Sequence, residues 1–148
     1  MDIEKFRRLF LEEASEHLVE MSQSLLALEK DLADREALDV CFRMAHSIKG
    51  MAASLDYGAI TDVAHRFEDL MDASRRAGGV AGPAGLALLF RGLQGLEAMV
   101  DRVRSTGEGP SPDPDLARAL AEGAAPAVAS AESTPSQETP RKKAEDRV

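Results

Sequence analysis

With 148 residues, a formal charge of −8 and 44% hydrophobic side chains, the chain has the length of one ordinary domain and enough Leu, Ala and Met for a core without disulfide or metal staples. The negative charge opposes phosphate backbones and anionic lipid, and one Tyr with no Trp leaves little for base stacking, so neither nucleic acid nor a membrane is expected as a partner. No stretch approaches the ~18 apolar residues of a membrane span, Met-Asp-Ile-Glu-Lys is unlike a signal peptide, and the single cysteine, Cys41, falls on an apolar seam, which together predict a cytoplasmic protein.

From Ile3 to Leu32 the apolar residues Ile3, Phe6, Phe10, Ala14, Leu18, Met21, Leu25, Leu28 and Leu32 recur every three or four positions behind a capping Asp2, the pattern of one long amphipathic helix. Ala33-Asp34 allows a break, and Asp34 is placed to cap a second helix running to Leu55, with Leu38, Cys41, Ala45, Ile48, Ala52 and Leu55 on its seam. Asp56-Tyr57-Gly58 predicts a tight connection. A third helix follows through Ile60, Val63, Phe67, Leu70 and Ser74 and stops at the double glycine Gly78-Gly79. Gly82-Pro83 opens a fourth, with Leu86, Leu89, Leu93, Leu96, Val100 and Val103 buried. Gly92 and Gly95 each weaken that helix by roughly 1 kcal/mol, which means either a closely packed neighbour or a marginal helix. Asp113-Pro114 is a start signal for a short fifth helix carrying Leu116 and Leu120 to Gly123. Beyond it Ala, Pro, Ser, Thr and Glu without periodicity predict disorder. The expected fold is all-α, an antiparallel up-down four-helix bundle with a short fifth helix over 1–122 and a disordered tail or linker over 123–148.

The chemistry concentrates at Ala45-His46-Ser47-Ile48-Lys49-Gly50. His46 lies one residue off the seam of the second helix, which makes it wettable; Phe42, Lys49 and Gly50 are its helical neighbours. If the second and third helices form a hairpin about Asp56-Tyr57, His46 and Glu68 sit about 16 and 17 Å from the turn, level with each other. Glu68 is predicted on the flank beyond Phe67, on a stripe with Thr61, His65 and Asp72. A carboxylate accepting the proton of one imidazole nitrogen leaves the other nitrogen's lone pair free as a nucleophile. Lys49 is then expected to balance phosphoryl oxygens, and Gly50 to leave the approach open.

Ala-His-Ser-Ile-Lys-Gly at 45–50, with Phe42-Arg43 before it and His65-x-x-Glu68 after it, resembles the phosphorylation motif of histidine phosphotransfer (HPt) domains, particularly the amino-terminal domain of CheA-type chemotaxis kinases. The likeness extends over about Asp2 to Leu120. It implies that His46 accepts a phosphoryl group from ATP held by a separate kinase domain and passes it to an aspartate of a CheY-like receiver domain. Glu68 would be the glutamate bonded to the imidazole, with Lys49 and His65 as auxiliary polar residues. Gly50, Phe42 and Arg43 would face the docking partner. ATP and Mg²⁺ would belong to the partners, with no cofactor or metal held by this domain. Met51-Ala52-Ala53 departs from the glycines common at that place in chemotaxis relatives.

Two other readings compete. A bundle metal site would draw on His46, His65 and Glu68, although di-iron bundles need two Glu-x-x-His motifs and the chain offers one reversed pair. A non-catalytic helical adaptor would leave His46 without a task. An autonomous ATP-hydrolysing enzyme is disfavoured, because no glycine-rich nucleotide loop is visible.

Overall fold

The computed structural model describes residues 2–125, which form five helices: α1 (Ile3–Lys30), α2 (Arg35–Ser54), α3 (Gly58–Ala77), α4 (Gly82–Thr106) and α5 (Pro114–Ala124). Each of α1, α2 and α5 begins at an aspartate whose side chain accepts a backbone N–H of the first turn. Asp2 takes Lys5 at 3.1 Å, Asp34 takes Ala37 at 3.1 Å and Asp113 takes Leu116 at 3.1 Å. Each cap satisfies one of the amides that helix geometry leaves without a partner, about 1 kcal/mol in a typical case. α1 ends two residues before the predicted Leu32, because Asp31 turns the chain by accepting the Ala33 N–H at 3.0 Å.

The four long helices run up and down around one core. At one end the α1–α2 and α3–α4 turns are tied together by a hydrogen bond from the Val80 N–H to the Leu32 carbonyl, 2.9 Å. Gly79 makes that approach possible, since a Cβ there would stand 2.9 Å from the same carbonyl oxygen. At the other end the α2–α3 turn meets the start of α1, where Tyr57 packs edge-on against Phe10 with ring centroids 5.5 Å apart. Arg7 of α1 lies beside Gly107, which closes α4 at that end. Phe67, Met21, Leu25, Ile48, Leu89 and Leu96 fill the space between, all fully buried. Cys41 is buried among them, and burial pushes its thiol up to about 12, so it behaves as a small apolar side chain, as its place on the seam predicted.

The choice left open for Gly92 and Gly95 is resolved by α5, which packs on α3 and α4. A Cβ on Gly92 would meet Phe67 Cδ2 at 2.7 Å and Leu120 at 3.2 Å. One on Gly95 would strike Leu116 Cδ2. The glycines are gaps into which the fifth helix sinks.

The α2–α3 connection is tight, as Asp56-Tyr57-Gly58 predicted, with Asp56 in the left-handed region (φ 64°) and Gly58 the first residue of α3. Two expectations need correction. Ile3 and Phe6, placed on the buried seam, are 51% and 43% exposed, because Phe10 already meets the α2–α3 turn and the residues before it overhang the end of α2. The domain boundary drawn after residue 122 cuts the last turn of α5, which runs to Ala124 and brings Gly123 against Leu88 and Leu70. The rest of the predicted tail, 126–148, lies outside the described residues.

Candidate functional site

The α2–α3 hairpin places the site. Its turn closes tightly: the Tyr57 N–H reaches back to the Ala52 carbonyl at 2.9 Å and the Asp56 N–H to that of Ala53 at 3.1 Å. Two regular helices then rise from a fixed point, so side chains at equal distance from the turn come level. His46 and Glu68 meet as expected, Nδ1 of the imidazole on Oε2 of the carboxylate. Lys49 donates to the other oxygen, Oε1, at 2.5 Å.

The two partners differ sharply in environment. The His46 side chain is 62% exposed, that of Glu68 only 10%. Glu68 is therefore not the flank residue that its spacing suggested; His46 and Lys49 lie over it from α2. Burial pushes its pKa up. The hydrogen bonds from Lys49 and His46, together with their charge, outweigh burial and hold the carboxyl below the ordinary 4.5. A carboxylate ionised at neutral pH can only accept, so the tautomer this contact selects carries its proton on Nδ1 and keeps the lone pair on Nε2. Among the described residues no group hydrogen-bonds Nε2. The arrangement is an exposed nitrogen nucleophile whose opposite edge is fixed by a buried anion.

The remaining predicted residues divide. Gly50 is exposed, and a Cβ there would find nothing within 4 Å, so the surface one turn from His46 is open. Arg43 is exposed on the same helix. Lys49, expected to face phosphoryl oxygens, is instead engaged with Glu68 and only 26% exposed at its side chain. His65, expected as an auxiliary group, is not drawn in; its Nε2 stands 3.6 Å from Asp69 on α3 itself, both largely exposed. Phe42, expected at the docking surface, is half-buried, its ring nearly parallel to that of His46 at 13°, centroids 6.5 Å apart. Among the described residues no group of three His, Cys, Asp or Glu side chains is placed to hold a metal ion, and the trio of the metal-site reading does not converge.

Sequence reasoning missed Arg75. It lies over the Phe42 ring, 4.2 Å from the centroid, and its Nε forms an ion pair with Asp39 at 3.1 Å. The signal was available: the register that pairs His46 with Glu68 also pairs residues two turns back on α2 and two turns on along α3, which are Asp39 and Arg75. Also missed was an apolar groove of about 350 Å³ between the ends of α1 and α2, lined by Ile3, Phe6, Leu9, Met51 and Leu55. Met51, the residue after Gly50, is part of its lining.

Residues 5–106 match the family model described as "Hpt domain". Chemotaxis protein CheA of Bacillus subtilis is 35% identical over 109 residues, 74% of this chain and 16% of that protein. Its counterpart in Halobacterium salinarum is 32% identical over 106 residues, 72% of this chain and 16% of that protein. The chain thus spans about a sixth of the length of these relatives. Among solved structures, the phosphorylated P1 domain of CheA3 in complex with CheY6 from R. sphaeroides superposes with a TM-score of 0.74 at 23% identity, covering 81% of this chain and 95% of that one. The solution structure of the histidine phosphotransfer domain of CheA gives 0.68 at 24% identity, covering 97% and 100%. Both share the fold described above.

Proposed function

The chain belongs to the Hpt domain family, and on that premise we propose that it is a phosphoryl carrier of chemotaxis-type two-component signalling, with His46 as its phosphoacceptor. The observation that carries the reading is the exposed imidazole held at Nδ1 by a buried, ionised Glu68. In the loading step the Nε2 lone pair attacks the γ-phosphorus of ATP bound to a kinase domain. The bond from phosphorus to the β,γ-bridging oxygen breaks, and its electron pair leaves with ADP. The ring becomes cationic, its proton staying on Nδ1 and donated to Glu68, and the carboxylate beside it stabilises that charge. In the unloading step a receiver aspartate oxygen attacks phosphorus, the N–P bond breaks, and the pair returns to Nε2. The neutral Nδ1–H ring is regenerated. Phosphoryl transfer has a loose, in-line transition state, so catalysis on this side is chiefly aim.

Lys49 in this reading keeps Glu68 ionised and fixed, and meets phosphoryl oxygens only by leaving it. The open face at Gly50 and the groove lined in part by Met51 are where a receiver domain would sit, an exposed apolar surface of the kind that marks a partner site. Nucleotide and Mg²⁺ belong to the kinase side, and the place of action is the cytoplasm. Among the described residues no helix is long and apolar enough to cross a membrane. In the CheA3 structure it is a phosphorylated domain of the same fold that is in complex with CheY6, which supports the direction of transfer.

The test is incubation with a chemotaxis-type kinase core, Mg²⁺ and γ-labelled ATP. The chain should take up acid-labile, base-resistant label, as phosphohistidine does, and His46→Gln should take up none while melting near the parental temperature, since His46 contributes little core burial. Equal labelling of the two proteins, or label on His65 or His17, would remove the assignment.

A further inference from the structure

One hydrogen bond at Nδ1 fixes a single edge of the His46 ring. It leaves the ring free to swing about that contact, and the far nitrogen, Nε2, moves most when it does. A second restraint is needed to aim the nucleophile, and the packing around Phe42 has the form of one. Phe42 is one turn before His46 on α2, and the two rings are close to parallel, at 13°. Arg75 on α3 reaches Asp39, one turn before Phe42, with Nε 3.1 Å from the carboxylate, and Asp72 stands 3.9 Å from its Nη1. The guanidinium carbon is 4.2 Å from the Phe42 centroid. Along the axis of α2 the order is therefore guanidinium, phenyl ring, imidazole. Arg75 is anchored by carboxylates on both helices, so the column is fixed at the end away from His46.

We infer that Arg75 is a positioning residue for the reaction at His46, acting through Phe42: the clamped guanidinium holds the phenyl ring in one rotamer, and that ring is the flat floor against which the imidazole is aimed. The inference rests on the phosphoacceptor reading but concerns a different part of the site. Glu68 selects the tautomer, whereas Arg75 and Phe42 narrow the direction in which Nε2 points. Cation–π and planar stacking interactions of this kind are modest, and their loss in a folded bundle corresponds to about a 3- to 10-fold slower reaction. Lysine does not replace arginine here, because a point charge on a flexible stem neither lies flat on the ring nor keeps the Nε contact with Asp39.

The experiment uses phosphoramidate, a donor too small to report docking: its N–P bond breaks with loss of ammonia as the bond from Nε2 to phosphorus forms. Rates are measured for the parent, Arg75→Gln, Phe42→Leu and the double variant, beside NMR signals of the His46 ring, whose Cε1 and Cδ2 protons feel the ring current of Phe42. Arg75→Gln should react about 3- to 10-fold more slowly and shift the His46 ring signals. The double variant should be no slower than Phe42→Leu, because a residue that acts through another adds nothing once the other is gone. Asp39→Asn, which loosens the anchor without touching either ring, should move both readouts in the same direction and by less, and it decides the matter if Arg75→Gln fails to fold. Parental rate and unshifted ring signals in a folded variant would overturn the inference, as would additive losses in the double variant. Failure of the parent itself to label at His46 would instead overturn the phosphoacceptor reading, and the ring signals would still decide whether Arg75 orders the imidazole.

Discussion

Glu68 carries a donor on each oxygen, Lys49 on Oε1 and His46 on Oε2, and it does so while nearly sealed from water. A buried carboxylate without such partners would neutralise; with them it stays an anion at neutral pH, and an anion at Nδ1 is what stabilises a ring turning positive as phosphorus bonds to Nε2. Glu68→Gln keeps the shape and removes the charge. Phosphorylation by the kinase should fall by about 10- to 100-fold, the usual value of a positioned charged hydrogen bond, with kinase binding little changed. The same substitution has a pH signature. Burial raises the Glu68 pKa, the Lys49 and His46 contacts lower it, and the net value lies below the ordinary 4.5. A carboxyl whose pKa is depressed by folding adds stability that is fully present above its unfolded value and is lost as the pH falls through the folded one. The melting-temperature gap between parent and Glu68→Gln should therefore be present at neutral pH and close as the pH is lowered beyond about 4.5. A gap that persists unchanged in acid would show that Glu68 contributes packing and not charge.

What brings two helices into this register is the turn between them, and one residue there is strained. Asp56 sits at φ 64°, the left-handed position of a helix C-terminus where glycine is the usual occupant. A side chain in that region costs about 1 kcal/mol, somewhat less for Asp than for most residues. Asp56→Gly should raise the melting temperature by about 3 to 5 °C, while phosphorylation of His46 stays at the parental rate because the turn's hydrogen bonds are backbone bonds. A lower melting temperature would mean that the aspartate stabilises the turn in a way its backbone does not reveal. The meeting of His46 and Glu68 was readable from the sequence because it needed only the helical rise and a short connection. The burial of Glu68 was not, since spacing tells which flank a residue occupies and not whether long side chains such as Lys49 lie across it. Gly92 and Gly95 were ambiguous for a different reason: a weak helix and a tightly packed one carry the same glycines, and only the presence of α5 separates them. Ile3 and Phe6 show the converse, a correct apolar period on turns of α1 that overhang their neighbour. Arg75 and Asp39 went unread although the hairpin register reaches them.

At the scale of the molecule, the family match ends at residue 106, yet the bundle does not, because α5 follows it and closes the side formed by α3 and α4. Leu116 and Leu120 are 3% and 0% exposed, and they fill the gaps left by Gly95 and Gly92 over Phe67. Each buried leucine is worth about 1.5 to 3 kcal/mol, so the pair stabilises the fold by roughly 3 to 6 kcal/mol, a large share of the 5 to 15 kcal/mol typical of a domain. Removal costs more than the transfer alone, because glycines at 92 and 95 offer no side chain to fill the space and Phe67 is left facing water. α5 packs on α3 and α4 and makes no contact with α2, the helix that carries His46 and Lys49. A chain stopped at Pro112 should therefore melt about 10 to 25 °C below one that runs to Ala125, followed by circular dichroism at 222 nm. Under conditions where it remains folded, its His46 should react with phosphoramidate within about 2-fold of the parental rate, because α5 does not touch the helix that carries the imidazole. Near-parental melting of the short chain would make α5 an appendage and the boundary of the family match the boundary of the fold. A loss of reactivity in a short chain still folded would mean that α5 sets the position of α3, and with it the height at which Glu68 meets the imidazole.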